Sequence, residues 1–257
     1  RVAFFDRIGR DIEIVKMVLL LTGAFHGTRK AVARFLQQFT SLSWLWRGEP
    51  AHALAQFLRR QPTLSDFDQE LSKLAHVDED VSRVLVVHVI GALALNTSTL
   101  KSQLVGLNAR WKRRFADQLH HRAREGLGDL TSYMARINEA LGREVSDLSG
   151  LYELAEVLKE VREGESAIEG RISPVLDRYA VLRRHLPGVY EEASEQDAQA
   201  TLRRQWERLA DRAEEVSDSL AERQAGFKGE LLARVRALAR DVEAFRADFE
   251  ARGPMER

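Results

Sequence analysis

Between Trp206 and Phe249, apolar side chains recur every three or four positions. The set is Trp206, Leu209, Ala213, Val216, Leu220, Phe227, Leu231, Val235, Leu238, Val242, Phe245 and Phe249. Only an α-helix brings such spacings onto one face, and the repeat persists for roughly a dozen turns. A stripe of that length must be buried against partner helices, so the closing segment belongs to a rod or bundle rather than to a catalytic cup. Gly253-Pro254 then ends the helix, because proline cannot continue it and glycine relaxes the exit.

With 257 residues the chain holds enough apolar material for one large domain or two small ones. Lys+Arg and Asp+Glu both number 39, so the formal charge is zero. Nothing in that balance favours nucleic acid or an anionic membrane as partner, since either selects a basic excess. The absence of cysteine excludes disulfides and thiolate metal sites and suits an intracellular protein. The chain opens on Arg1 rather than Met, which reads as a fragment of something longer. Its apolar run Met17–Leu21 is far short of the ~20 residues that a membrane span needs.

Periodicity predicts a helix over 2–21 with Phe5, Ile8, Ile12, Val15 and Leu19 on one face. A loop around Gly23 and Gly27 follows, with Thr28 placed to cap a second helix over 28–46 that buries Val32, Phe35, Phe39, Leu42 and Trp46. Short helices are expected over 51–60 and 64–75. The run VLVVHVIGALAL at 84–95 is rich in β-branched residues, so a short buried strand competes there with a helix, and the strand is the better fit. Asn96-Thr97-Ser98-Thr99 supplies cap chemistry for a third long helix. Its stripe runs through Leu100, Leu104, Leu107, Trp111, Phe115, Leu119, Leu127, Leu130, Met134, Ile137 and Leu141, weakened by Gly126 and Gly128. A fourth helical stretch, from Asp147 to about Leu186, carries Glu165 on its seam and a kink at Pro174. Residues 187–195 turn into the final helix.

No chemistry of a catalytic kind emerges. TGAFHGTRK at 22–30 has the wrong glycine spacing for a phosphate loop and no lysine after its second glycine. The histidines His26, His52, His76, His88, His120, His121 and His185 include no pair at the four-residue spacing that shares a metal. His88 reads as a hydrogen-bonded core residue. Glu191-Glu192 and Glu214-Glu215 read as solvated charges rather than an acid–base pair. No serine stands in a nucleophile elbow. No catalytic, cofactor-binding or metal-ligating residue is therefore assigned. Trp46, Trp111 and Trp206 fall on apolar stripes and read as core, whereas Trp44 lies off its stripe and is placed to meet another chain.

Read as strings, LYELAEVLKEVREGESAIEGRISPVLDRYAVL at 151–182 and QWERLADRAEEVSDSLAERQAGFKGELLARVRALARDVEAFRADFEARGPM at 205–255 resemble the tail of dynein heavy chains. FLQQFTSLSWLW, TLSDFDQELSKL, IGALALNTSTLKSQL and WKRRFADQLHHRA extend the likeness upstream, so that it covers nearly the whole chain. With REVSDLSGL at 143–151 it looks more like axonemal than cytoplasmic chains, and within these like an outer-arm chain. No light-chain site of the IQ type is evident, since Leu36-Gln37 lacks the basic-glycine step.

The fold expected is mainly α, an elongated series of helical bundles with long antiparallel helices and one short strand near 84–95. Stem helices would occupy 1–96, and a long-helix bundle leading to the motor linker would occupy 97–257. The resemblance implies a non-catalytic stem piece, just before the linker, of an ATP-driven microtubule motor of the ciliary or flagellar axoneme. ATP and magnesium would belong to the absent motor domain, with no cofactor in this segment. The implied partners are intermediate and light chains, neighbouring heavy chains or docking factors, and the microtubule doublet through the assembled complex, with no nucleic acid and no membrane. The implied setting is the cytoplasm and cytoskeleton of the axoneme. An unrelated intracellular helical scaffold, spectrin-like or a coiled-coil tether, is the alternative, although a repeat of roughly a hundred residues is not apparent.

Overall fold

Asp11 starts the first long helix, its carboxylate accepting from the amides of Glu13 (3.0 Å) and Ile14 (3.3 Å). That helix, α1, spans Ile12–Gln37 in a computed structural model that describes residues 8–91, 93–143 and 148–252. Phe5, the Asp147 helix start and the Gly253-Pro254 stop lie outside the described residues. Contrary to the expected loop, α1 passes straight through Gly23 and Gly27. Thr28 is mid-helix and donates its hydroxyl to the Ala24 carbonyl (2.8 Å), so it caps nothing. None of the residues of α1 is buried. Ile12, Val15 and Leu19, expected to face a core, are exposed.

A 3₁₀ segment, Gln38–Leu42, leads into α2 (Trp44–Arg47). Its three residues per turn advance the helical phase, so Leu45 points inward (2% exposed) and Trp46 outward (48%), reversing the expected core role of Trp46. Gly48 follows at a close approach, where a Cβ would stand 2.7 Å from the Trp44 carbonyl oxygen. α3 spans Pro50–Arg59 with proline in its first turn, where no amide is required. α4 spans Leu64–Arg83 behind a reciprocal cap. The Thr63 amide donates to the Asp66 carboxylate (2.7 Å) and the Asp66 amide to the Thr63 hydroxyl (3.3 Å). The Thr63 backbone and hydroxyl hydrogen bonds hold the Asp66 carboxyl below its ordinary range. α4 outlasts the expected end at residue 75 because Val81 is still core (1% exposed).

The β-branched run is extended, as a hairpin rather than a single strand. β1 (Val87–Ile90) and β2 (Leu93–Asn96) pair antiparallel, with His88 opposite Leu95 and Val89 opposite Ala94. Gly91 takes the positive φ (59°) that the tight turn demands. One face presents Val87, Val89, Ala94 and Asn96 to solvent; on the other, half-buried His88 stacks on Phe35 of α1 at 4.4 Å. Buried Thr97 ties the hairpin to the helix after it. Its amide donates to Val86 (2.8 Å), its hydroxyl to Leu85, and its carbonyl accepts from the Lys101 amide near the start of that helix (2.9 Å).

The helix itself, α5 (Ser98–Leu141), is unbroken over 44 residues, and its predicted stripe is core at Leu104 and from Trp111 through Leu141. Leu100 and Leu107, at the near end of that stripe, are only half-buried. The fourth stretch is two helices, α6 (Leu148–Glu165) and α7 (Glu169–His185). The interruption falls at 166–168, where the amides of Ala167 and Ile168 both reach the Gly164 carbonyl, whereas Pro174 sits inside α7. Ending at Glu165 leaves that carboxylate exposed, which removes the cost expected of a seam position. α8 (Ala193–Arg252) closes the fold; the side chains of residues 222–228, 230, 231, 251 and 252 lie outside the described set.

Two compact units result. The first comprises Arg1–Arg122 with Arg178–Tyr190, the second Ala123–Asp177 with Glu191–Arg257. The first centres on Phe67, Leu71, Leu104, Leu119, Tyr179 and Leu182, each at most 1–2% exposed, with Phe57 edge-on to both Phe67 (4.9 Å) and Phe115 (5.4 Å). The second packs Leu127, Met134, Ile137, Leu154, Leu158, Ile172 and Leu202.

Candidate functional site

Among the described residues no three His, Asp or Glu side chains converge as a metal site would require. The histidines are dispersed. His26 lies 3.1 Å from the Thr22 carbonyl, His52 2.9 Å from Gln56, and His185 2.7 Å from Asp68, which Arg184 also pairs at 3.1 Å. His120 rests against the rings of Tyr179 and Tyr190. Burial, then the hydrogen bond to Asp117 (2.7 Å), drives the Tyr190 hydroxyl upward from its ordinary range. Glu191, Glu192, Glu214 and Glu215 all face solvent.

What the residues do build is rigid junctions between helices. In the first unit Asn108 is fully buried on α5 and donates to the Leu74 carbonyl (2.7 Å) and to Asp78 (2.6 Å) on α4, and Lys112 pairs with the same Asp78. Trp111 is core and donates its indole N–H to the Leu45 carbonyl (3.1 Å). Trp44, 38% exposed, packs edge-on against Trp111 at 5.0 Å. It borders an apolar cleft of about 540 Å³ with Phe57, Leu74 and Phe115, edged by Arg60 and Lys73.

In the second unit the first half of α8 is pinned from three sides. Leu202 (0% exposed), Trp206, Leu209, Ala213 and Leu220 are core. The Tyr133 ring of α5 lies 6.3 Å from Trp206 and nearly parallel to it, while the Arg171 guanidinium of α7 sits 4.4 Å from the centre of the Tyr133 ring. Around this centre run polar ties: Arg203 to Glu169 (2.5 Å), Arg212 to Asn138 (2.5 Å), Arg162 to Ser217 (3.3 Å) and Arg124 to buried Glu195 (3.2 Å). Hydrogen bonds from Arg203 and then Ser173 lower the Glu169 carboxyl from 4.5 to about 2. None of these partners was visible in the sequence, because Glu169 and Arg203 lie on separate helices with no local spacing rule to join them.

From Leu232 to Glu250 nearly all the described side chains of the same helix are exposed. Val235, Leu238, Val242, Phe245 and Phe249, all expected to be buried, are 55–73% exposed. Phe227 and Leu231 lie among the side chains outside the described set. Among the described residues the stripe is covered only over its first half.

Residues 113–234, from the middle of α5 into α8, match the family model for the dynein axonemal heavy chain 2/5/8 coiled-coil. The dynein gamma chain of the Chlamydomonas reinhardtii flagellar outer arm is 37% identical over 248 residues, 96% of this chain. The chain belongs to the axonemal dynein heavy-chain family. Dynein axonemal heavy chain 8 of Homo sapiens is 28% identical and dynein axonemal heavy chain 5 of Rattus norvegicus 25% identical, each over 98% of the chain. The chain spans only 6–7% of the length of these heavy chains. Within the dynein match lie the Tyr133–Trp206 stack, the Glu169–Arg203 pair and the core of the second unit. The bare seam from Val235 onward follows it.

Proposed function

We propose that the chain is a mechanical segment of the stem of an axonemal dynein heavy chain, joining the anchoring end of the molecule to its ATP-driven head. The observation that carries the reading is the pinning of α8. A helix of 60 residues is clamped at its first half by apolar burial, a ring stack and four polar ties, an arrangement suited to passing force rather than to chemistry. On this reading the segment acts in the axoneme of a cilium or flagellum, most like an outer-arm chain. ATP and magnesium are handled by a motor domain elsewhere in the heavy chain. Intermediate and light chains, neighbouring heavy chains and docking factors are the partners that such a stem would meet.

The test uses the full heavy chain. A flexible Gly-Ser insertion at Gly229, within α8, is expected to preserve ATP turnover by the head while reducing microtubule gliding velocity. Unchanged gliding would overturn the mechanical role. The isolated chain is expected to hydrolyse no ATP, and robust turnover would refute its assignment as a non-catalytic segment.

A further inference from the structure

Nothing between Val84 and Leu95 protects the edges of the hairpin. The run VLVVHVIGALAL holds no lysine, glutamate or proline, the residues that blunt an edge strand. The phase of the ladder decides which backbone groups are free. The Thr97 amide donates to the Val86 carbonyl (2.8 Å), so these two residues form a bonded pair. Alternation along the register then makes His88 with Leu95 and Ile90 with Leu93 bonded pairs. The amides and carbonyls of Val87, Val89, Ala94 and Asn96 turn outward. Among the described residues no hydrogen bond from outside the hairpin reaches Val87 or Val89, and their side chains are 53% and 71% exposed. The β2 edge differs, because the Asn96 carboxamide oxygen accepts from the Ser98 amide (2.9 Å) where the strand runs into α5.

One chemistry satisfies the β1 edge. Outward N–H and C=O groups on alternate residues, carried by valines, match the backbone of another extended chain. A helix uses its own backbone groups internally and has none to offer along its length. A two-stranded hairpin is marginal in water, and a third strand adds the pairing it lacks. A second copy is a poor occupant. Bonding both Val87 and Val89 to β1 of a twin would centre the pairing on His88 against His88, where each ring already stacks on its own Phe35 at 4.4 Å. We propose that β1 is a docking edge for an extended, apolar segment of a partner polypeptide, which joins the hairpin as its third strand. The inference goes beyond the mechanical reading and does not depend on it.

The test adds to the 257-residue chain a capped peptide of alternating valine and threonine with lysine ends, since main-chain bonds carry the affinity of strand addition. At millimolar peptide, NMR hydrogen exchange at the Val87 and Val89 amides is expected to slow about tenfold, with His88 unchanged. The same peptide N-methylated at every amide should protect neither. Val89→Pro removes one outward amide and none of the hairpin's own bonds, so it should abolish peptide protection at Val87 while His88 stays slow. Val89→Thr should bind within about threefold of the parent, because the backbone is unchanged. Fast exchange at Val87 and Val89 with peptide present, equal binding of the N-methylated peptide, or protection at Ala94 and Asn96 instead would each overturn the proposal. So would protection that grows with protein concentration alone, which would identify the occupant as a second copy.

Discussion

The two halves of α8 have similar sequence and opposite fates. From Leu202 to Leu220 the apolar stripe meets α5, α6 and α7 and disappears from solvent; from Val235 to Phe249 an equally apolar stripe stays wet. What separates them is cover, not hydrophobicity. The first half also carries side chains with remote polar partners, namely Arg203, Arg212 and Ser217, whereas in the second half Arg246 pairs locally with Glu250. Remote polar partners thus mark where a helix is built into a unit.

The sharpest way to break this comparison is to place a charge in the bundled half. Leu202→Asp should cost more than about 4 kcal/mol, since it buries an unpaired carboxylate at a fully enclosed site, and urea unfolding would measure it. Trp206→Ala should cost about 3–5 kcal/mol through the cavity left beneath Tyr133, read by the same curves. A smaller effect is expected at the edge of the bundle. The Glu169 carboxylate should titrate in NMR near pH 2 and return toward its ordinary 4.5 in Arg203→Ala. A folded-state value below the unfolded one means that the pair stabilises the chain above pH 4.5 and that this contribution is lost as pH falls from there toward 2. The smallest effect belongs to the bare half. Leu238→Asp, which the periodicity alone predicts to be severe, should change the melt of dilute protein by less than about 0.5 kcal/mol, since Leu238 is 64% exposed. A severe loss there would show that the second half is covered after all.

Sequence periodicity located the α5 stripe well because one unbroken helix with a full set of large residues leaves little ambiguity of phase. Short helices expected over 51–60 and 64–75 also form, as α3 and α4, whose starts at Pro50 and behind the Thr63–Asp66 cap are local signals as well. Cap chemistry was a weaker guide. It misled at Gly23 and Gly27, where helical hydrogen bonding absorbs two glycines at roughly 1 kcal/mol each and no turn forms. Trp46 was misplaced because a 3₁₀ segment shifts phase without leaving a composition signature. Glu165 was misplaced because the interruption at 166–168 is set by bonds to the Gly164 carbonyl, not by a breaker residue. The junctions that define the candidate site were the least legible. Asn108 to Leu74, Tyr133 to Trp206 and Glu169 to Arg203 are pairings between elements, and periodicity reports which face is apolar without naming what will meet it.

The continuity of α8 has a thermal consequence. The unfavourable step in making a helix is its first turn, and here the clamped residues around Trp206 have already taken it. The remaining turns add one by one on a preformed end, each nearly balanced between ordered and frayed. Melting should therefore begin at Arg252 and travel inward, and amide protection should fall steadily from Leu220 toward the tip. One continuous helix would then grade from a fixed beam into an end whose effective length is set by temperature.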